Sequence, residues 1–340
     1  MLYNKFQIME KSNIKGYQRI TANILYTIKI LNTFLKFQKV YKNSFQVFID
    51  YLTNKTEIKV FLKNKKSFIL SARSTALVAL MYKKNIELDF ENDTITIARE
   101  SGIILDKEKI IFYNGIENGD IHSIFIKNEY QMLKTKGKVI VDIGANIGDS
   151  AIYFAIKGAE KIIGFEPFYN NYIFAKKNFK ENLLEEKCNV FLAGCSGKSG
   201  KIKLNSEIKS DVDSKVEYSD QGGEIPVYSL DQIINDFNVP QKSILKMDCE
   251  GCEYESILLA SRDTIRTFDE ILLEYHHGYL DVVEKLKKCG FNVSNTTPIS
   301  TGFIGKYLQI FKVKTEEVDH NNKKDFRPEY SGLIHAIKNN

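Results

Sequence analysis

Six short apolar runs, at 138–142, 161–165, 189–193, 243–247, 270–275 and 307–313, are separated by stretches long enough for a helix, so the chain after Glu129 reads strand, helix, strand, helix. Strands that are apolar throughout bury both faces, and helices alternating with them cover the two faces of a parallel sheet. The expected class is therefore α/β: a doubly wound, mostly parallel sheet, preceded by an N-terminal helix and a small α+β region. Ligands of such sheets bind beyond the carboxyl ends of the strands, where the strand order reverses. The first strand and its turn consequently matter most.

That first strand is Val139-Ile140-Val141, with Asp142 at its end and Gly144 and Gly148 in the turn before a helix over 150–157. The glycines let the backbone turn tightly and approach a ligand with no Cβ in the way. A dinucleotide fingerprint requires Gly-x-Gly-x-x-Gly. Its second and third glycine positions are here Asn146 and Asp149. Asp149 also sets a negative charge where a pyrophosphate needs the positive end of a helix. A cationic sulfonium nucleoside fits better, with Asp142, Gly144, Asn146 and Gly148 as its binding turn. The second strand ends in Glu166, whose carboxylate is suited to bridging ribose hydroxyls.

A second concentration of chemistry follows the fourth strand (244–247): Asp248, then Glu250 and Glu253 on the turn into a helix. Glu274 and His276 end the fifth. Neighbouring strand tips bring Asp248, Glu250, Glu274 and His276 to one pocket as candidate catalytic residues. Two mechanisms fit. In the favoured one, which needs no metal, Asp248 or His276 is a general base for an acceptor hydroxyl, its pKa raised by neighbouring carboxylates. In the other, Asp248, Glu250 and Glu274 hold a divalent cation that acidifies the hydroxyl. Glu253 is expected on a solvated helix face, and Glu250 has helix capping as its plain alternative.

Taken together, VIVDIGANIGDS (139–150), IIGFEPFYNN (162–171), NVFLAGCSGKSGKIKL (189–204), VYSLD (227–231), ILKMDCEGCE (244–253) and ILLEYHH (271–277) resemble the FkbM-type methyltransferases over roughly 129–313. The resemblance implies the class I methyltransferase (Rossmann-like) fold. It also implies S-adenosylmethionine as methyl donor and an oxygen atom of a small molecule, sugar or lipid-linked glycan as acceptor. Cys249 and Cys252 stand where the family usually carries apolar residues around its Glu-Gly pair. The competing readings are a nicotinamide-dinucleotide oxidoreductase on the same sheet, whose fingerprint is missing, and a non-catalytic membrane-peripheral or nucleic-acid-binding protein.

The latter draws on the N-terminus, where residues 1–45 carry Lys5, Lys11, Lys15, Arg19, Lys29, Lys36, Lys39 and Lys42 against Glu10. Ile24, Ile28, Leu31 and Leu35 recur at helical spacing and predict a basic amphipathic helix over 18–42 that packs its apolar stripe on the next region. Such a helix also permits weak contact with an anionic membrane surface. Nucleic acid is not expected as a partner, since the catalytic half lacks interleaved basic and aromatic residues. The expected organisation is a basic helical segment (1–45), a small α+β accessory region (46–128), the methyltransferase-like domain (129–314) and a polar tail (315–340). In the accessory region, strand-like runs at 58–62, 68–70, 86–90 and 94–97 surround one helix near 74–84. No apolar run reaches the roughly 18 residues a membrane-spanning helix needs, so the cytoplasm is the expected compartment. Five cysteines in 340 residues make no disulfide framework and are expected as reduced thiols, with zinc disfavoured because no second Cys-x-x-Cys exists.

Overall fold

The computed structural model describes residues 30–53, 55–63, 66–82, 86–98, 109–116, 118, 120–203, 217–218, 225–275, 279–296, 299–300 and 330–339. They divide into two compact units, one holding 30–98 and 114–123, the other 109–113 and the residues from 124 onward.

In the first unit, residues 30–40 are helical and lead into α1 (Ser44–Leu52). The expected apolar stripe is not the buried one. Leu31 and Leu35 are 55% and 43% exposed, while Phe37, Val40 and Tyr41 are buried. Phe37 meets the rings of Tyr41, Phe48 and Tyr51 at 5.5, 6.3 and 5.3 Å. Large aromatic rings bury more area than leucines and decide which way the helix faces. Ile24 and Ile28 lie outside the described residues. The hairpin β1 (Ile58–Phe61) and β2 (Ser67–Leu70) pairs Ile58 with Leu70, burying alternate residues of β1. α2 (Ala72–Met81) starts at Ser71, whose hydroxyl accepts from the Ser74 N–H. β3 (Ile86–Asp89) and β4 (Thr94–Ala98) form a second antiparallel pair, joined through a turn that includes Asn92 and Asp93.

The second unit begins with β5 (Lys109–Tyr113), ahead of the expected boundary at 129. Its sheet contains β6 (Val139–Ile143), β7 (Lys161–Glu166), β8 (Cys188–Leu192), β13 (Ser243–Met247), β14 (Phe268–Tyr275), β15 (Phe291–Asn295) and β17 (Tyr330–Lys338). Their order is β15-β17-β14-β13-β6-β7-β8. All run parallel except β17, which is antiparallel to both its neighbours. Chain order runs outward from β6 to β8 in one direction and from β13 to β14 in the other, so the switch point lies between β6 and β13. This is the expected doubly wound class I arrangement.

The connecting helices are α3 (Asp149–Ile156), α4 (Tyr169–Glu181), α5 (Leu230–Asp236), α6 (Cys252–Leu259), α7 (Arg262–Thr267) and α8 (Leu280–Lys288). A smaller sheet of β9 (Gly194–Cys195), β10 (Gly200–Lys203), β11 (Glu217–Tyr218) and β12 (Ile225–Tyr228) is inserted after β8, and β16 (Ile299–Ser300) pairs with β17. β6, β7 and β13 are almost wholly buried, which explains their largely apolar composition, and the charges inside β6 and β13, Asp142 and Lys246, pair with each other. The backbone of β5 is held by side chains of α4: Asn178 accepts from Tyr113 N–H at 2.7 Å and Asn182 from Ile111 N–H at 3.0 Å.

The expected polar tail requires correction. Residues 330–338 form β17, paired with β14 from Glu270↔Ile337 to Tyr275↔Gly332, in the body of the sheet. Alternate residues Gly332, Ile334 and Ala336 are buried there, and the polar stretch before them hides this short alternation. The run at 307–313 and residues 315–329 lie outside the described residues.

Candidate active site at the switch point

The turn after β6 is bolted to the strands on both sides. Gly144 and Ala145 donate their N–H groups to the carbonyl of Phe165 on β7, each at 3.0 Å. Asn146, with φ of 47°, donates its N–H to Glu166 Oε2 at 2.9 Å. On the other side the Asp248 N–H reaches the Ile143 carbonyl at 3.0 Å. Gly144 (φ 75°) lies so close to β13 that an added Cβ would fall on the Asp248 carbonyl oxygen and 2.7 Å from its carbon. At Gly148 (φ 82°), which caps α3, the same atom would strike the ring of Phe179. Only glycine fits a positive φ against such neighbours.

Beneath this turn lies a buried ion pair. The Lys246 ammonium contacts Asp142 Oδ1 at 3.0 Å and donates to the Gly144 carbonyl at 2.9 Å, while Ser150 Oγ donates to Asp142 Oδ2 at 2.6 Å. Burial opposes the charge on Lys246, yet the carboxylates of Asp142, Asp248 and Asp149 outweigh it and hold the ammonium above the usual lysine value. Asp142 is fully buried and braces the turn from behind. Lys246 carries no expected role from the sequence alone. The signal was present, since a lysine in the middle of a wholly buried strand requires an anionic partner.

Glu166 is 3% exposed and receives the N–H groups of Asn146 and, at 2.8 Å, Phe168. Burial pushes its carboxyl up to about 7, against the opposing influence of these hydrogen bonds, Lys246 and Asn171. It thus ties the tip of β7 to the glycine turn.

On the other side of the turn, β13 and β14 remain paired up to Met247↔Leu273. Asp248, just past β13, and Glu274, still within β14, therefore lie at the same level of adjacent strands, and both are half-buried. His276 lies outside the described residues. Glu250 is exposed, with φ of 55°. Two expectations are corrected here. Glu253 is buried, and its carboxylate accepts the N–H groups of Cys249 at 2.9 Å and Gly251 at 2.7 Å. Glu253 closes the turn ahead of α6, because its position within the helix lets both oxygens reach the N–H groups of Cys249 and Gly251. Cys249 and Cys252, expected as reduced thiols, form a disulfide with Cα atoms 5.5 Å apart, a spacing the tight turn creates. Cys188, Cys195 and Cys289 are buried free thiols, as expected. Among the described residues no three His, Cys, Asp or Glu side chains are grouped as metal ligands, and no helix is long and apolar enough to cross a membrane.

Residues 142–293 match the family described as Methyltransferase FkbM domain. Uncharacterized protein 158B of Sulfolobus islandicus rod-shaped virus 1 is 35% identical over 124 residues, which cover 36% of this chain and 54% of that protein. The chain thus spans about half the length of that relative. Among solved structures, similarity extends to methyltransferase FkbM from Methylobacillus flagellatus KT, with 15% identity, a TM-score of 0.36, and coverage of 60% of this chain and 45% of that one. It extends also to magnesium protoporphyrin IX methyltransferase from Synechocystis PCC 6803, with 13% identity, a TM-score of 0.34, and coverage of 65% and 78%. The glycine turn, the acidic tip of β7 and the Lys-x-Asp-x-Glu-Gly-x-Glu turn all lie inside the segment 142–293 that is similar to the FkbM methyltransferase domain.

Proposed function

We propose that this protein transfers a methyl group from S-adenosylmethionine to a hydroxyl oxygen of a small molecule, sugar or lipid-linked glycan. The observation that carries the reading is the half-buried glycine turn at the switch point, where Gly144 is pressed against the backbone of Asp248. Gly144, Asn146, Gly148 and Glu166 would hold the donor, with Asp142 and Lys246 bracing them from behind. When bound, the donor supplies an electrophilic methyl group on a cationic sulfonium.

The chain's own part is positioning and proton handling. Methyl transfer to oxygen needs the acceptor hydroxyl in line with the methyl group, and alignment by itself contributes several kcal/mol, roughly 7–11 at the upper limit. Asp248 is suited to take the hydroxyl proton, because it adjoins the glycine turn and is half-buried. Glu274, at the same level on β14, is suited to orient the acceptor, and the exposed Glu250 to contact its outer part. His276 remains the other candidate base on sequence grounds. A divalent cation at these carboxylates is the less favoured route. Acceptor chemistry rests on the family resemblance.

The test combines calorimetry and transfer. The wild type is expected to bind S-adenosylmethionine and to pass a labelled methyl group to members of a panel of sugars, glycosides and lipid-linked glycans. Asp248→Asn is expected to keep donor affinity within about twofold while losing at least about a hundredfold in transfer, the size typical of a lost general base. Tight dinucleotide binding with none for S-adenosylmethionine would overturn the function. Full activity in Asp248→Asn would overturn the residue assignment.

A further inference from the structure

The disulfide between Cys249 and Cys252 bridges the turn that joins Asp248 to α6. Four features make this turn a sensitive place for a cross-link. Inside the bridge, Glu250 (φ 55°) and Gly251 (φ 121°) both have positive φ, a backbone that Glu250 adopts only when its surroundings compel it. The turn's N–H groups are gathered by one buried carboxylate, Glu253. Its first residue, Asp248, has its carbonyl against Gly144 and its N–H on β6. The bridge itself is half-buried, within reach of a reagent.

The remaining thiols do not share this position. Cys188, Cys195 and Cys289 are buried, and burial pushes the Cys188 and Cys195 thiols up to about 12, where the reactive thiolate is scarce. Thiol–disulfide chemistry in the folded protein is therefore confined to one pair, and that pair is built into the candidate site.

We propose that Cys249 and Cys252 are a reversible redox site that takes a dithiol reductant, and that the oxidised state holds the Asp248 turn against Gly144 and so sets the donor affinity. This rests on the methyltransferase reading of the same site. In the exchange, a thiolate of the dithiol attacks one sulfur of the bridge, forming a mixed disulfide and releasing the other cysteine as a thiolate that takes up a proton. The second thiol of the reductant then attacks the mixed disulfide, releasing the remaining cysteine. Two electrons and two protons reach the pair, and the reductant leaves as its own disulfide. With the bridge open, Glu250 is free to leave its strained conformation. The shift passes through the Asp248 carbonyl to Gly144 and the donor turn.

The experiment uses the full chain, as purified under oxidising conditions and after dithiothreitol. Native maleimide labelling followed by mass analysis is expected to add no label to the oxidised protein and two to the reduced one, at 249 and 252. Reoxidation should restore the unlabelled state. Titration calorimetry with S-adenosylhomocysteine is expected to show about a tenfold weaker Kd on reduction, a coupling of ordinary size. Cys249→Ser/Cys252→Ser should bind as the reduced wild type does in either buffer. Equal affinities in the two states overturn the proposal, as does a bridge that resists dithiothreitol in the folded protein. S-adenosylhomocysteine binding in neither state overturns the methyltransferase reading instead. Since the main comparison is made on the wild type, a misfolded double variant does not blunt it.

Discussion

Replacing Gly144 with alanine introduces one methyl group where the structure leaves no room for it. The new Cβ would lie on the Asp248 carbonyl oxygen and 2.7 Å from the carbonyl carbon. Non-bonded carbons prefer about 3.5–4.0 Å, so the backbone of β6 or β13 must give by about 1 Å. Neither strand has freedom to do so, because Gly144, Ala145 and Asp248 are all tied by backbone hydrogen bonds. The positive φ adds about 1–2 kcal/mol for a residue with a Cβ, and overpacking a closed site adds about 1–3 kcal/mol. At roughly 2–4 °C per kcal/mol for a unit of this size, the total predicts a Tm lowered by about 10 °C. Gly137→Ala isolates the first contribution, since Gly137 has φ of 68° and nothing within 4 Å of the added atom. That variant should lose only about 3 °C. Thermal unfolding by circular dichroism, run on both variants with and without S-adenosylhomocysteine, makes the comparison. Gly144→Ala should also lose the stabilisation the ligand gives. Equal losses for the two variants would refute the claim that contact with Asp248, and not φ alone, demands glycine at 144.

Two further outcomes follow from the ionisable groups beneath the turn. Lys246→Met leaves Asp142 buried without its cation and should cost about 3–5 kcal/mol, with Asp142→Leu in the same chain recovering part of the loss; chemical denaturation checks this. Glu166 has its folded pKa raised from 4.5 to about 7, so its proton is bound more tightly in the folded state. Its contribution to stability is therefore fully present below about 4.5 and is lost as pH rises through about 7, an effect of about 3 kcal/mol. Glu166→Gln should flatten the fall of Tm across this window, and an unchanged profile would contradict the burial of that carboxyl.

How far the chain could be read in advance depended on whether a residue's role was local. Apolar runs along β6, β7, β13 and β14 announced buried parallel strands, because burial on both faces leaves no other composition. Gly144 and Gly148 announced a turn, because positive φ selects glycine. β17 escaped notice since its buried alternation, Gly332, Ile334 and Ala336, is short and preceded by a polar stretch, and its place in the sheet is set by partners far away in sequence. The same holds for the disulfide: a separation of three residues does not say that Glu250 and Gly251 bring Cys249 and Cys252 together. Glu253 was expected on a solvated helix face, and only the path of the turn reveals that its carboxylate is enclosed. Leu31 and Leu35 show the converse failure. Their helical spacing was genuine, but Phe37 and Tyr41 had more surface to hide.

The position of β17 has a bearing on how the chain acquires its structure. β14 and β15 are neighbours in sequence but not in the sheet, and each finds its partner in a strand that begins 35 residues beyond Asn295. Until Tyr330–Lys338 has been synthesised, Glu270–Tyr275 and Phe291–Asn295 present unpaired edges. An open edge is a template for pairing with another chain, and long-range strand closure is intrinsically slow. The nascent protein therefore passes through an interval in which β6 to β8 can already be formed while the β14 side of the sheet remains adhesive. The length of that interval is governed by the arrival of a segment that carries none of the site's own residues.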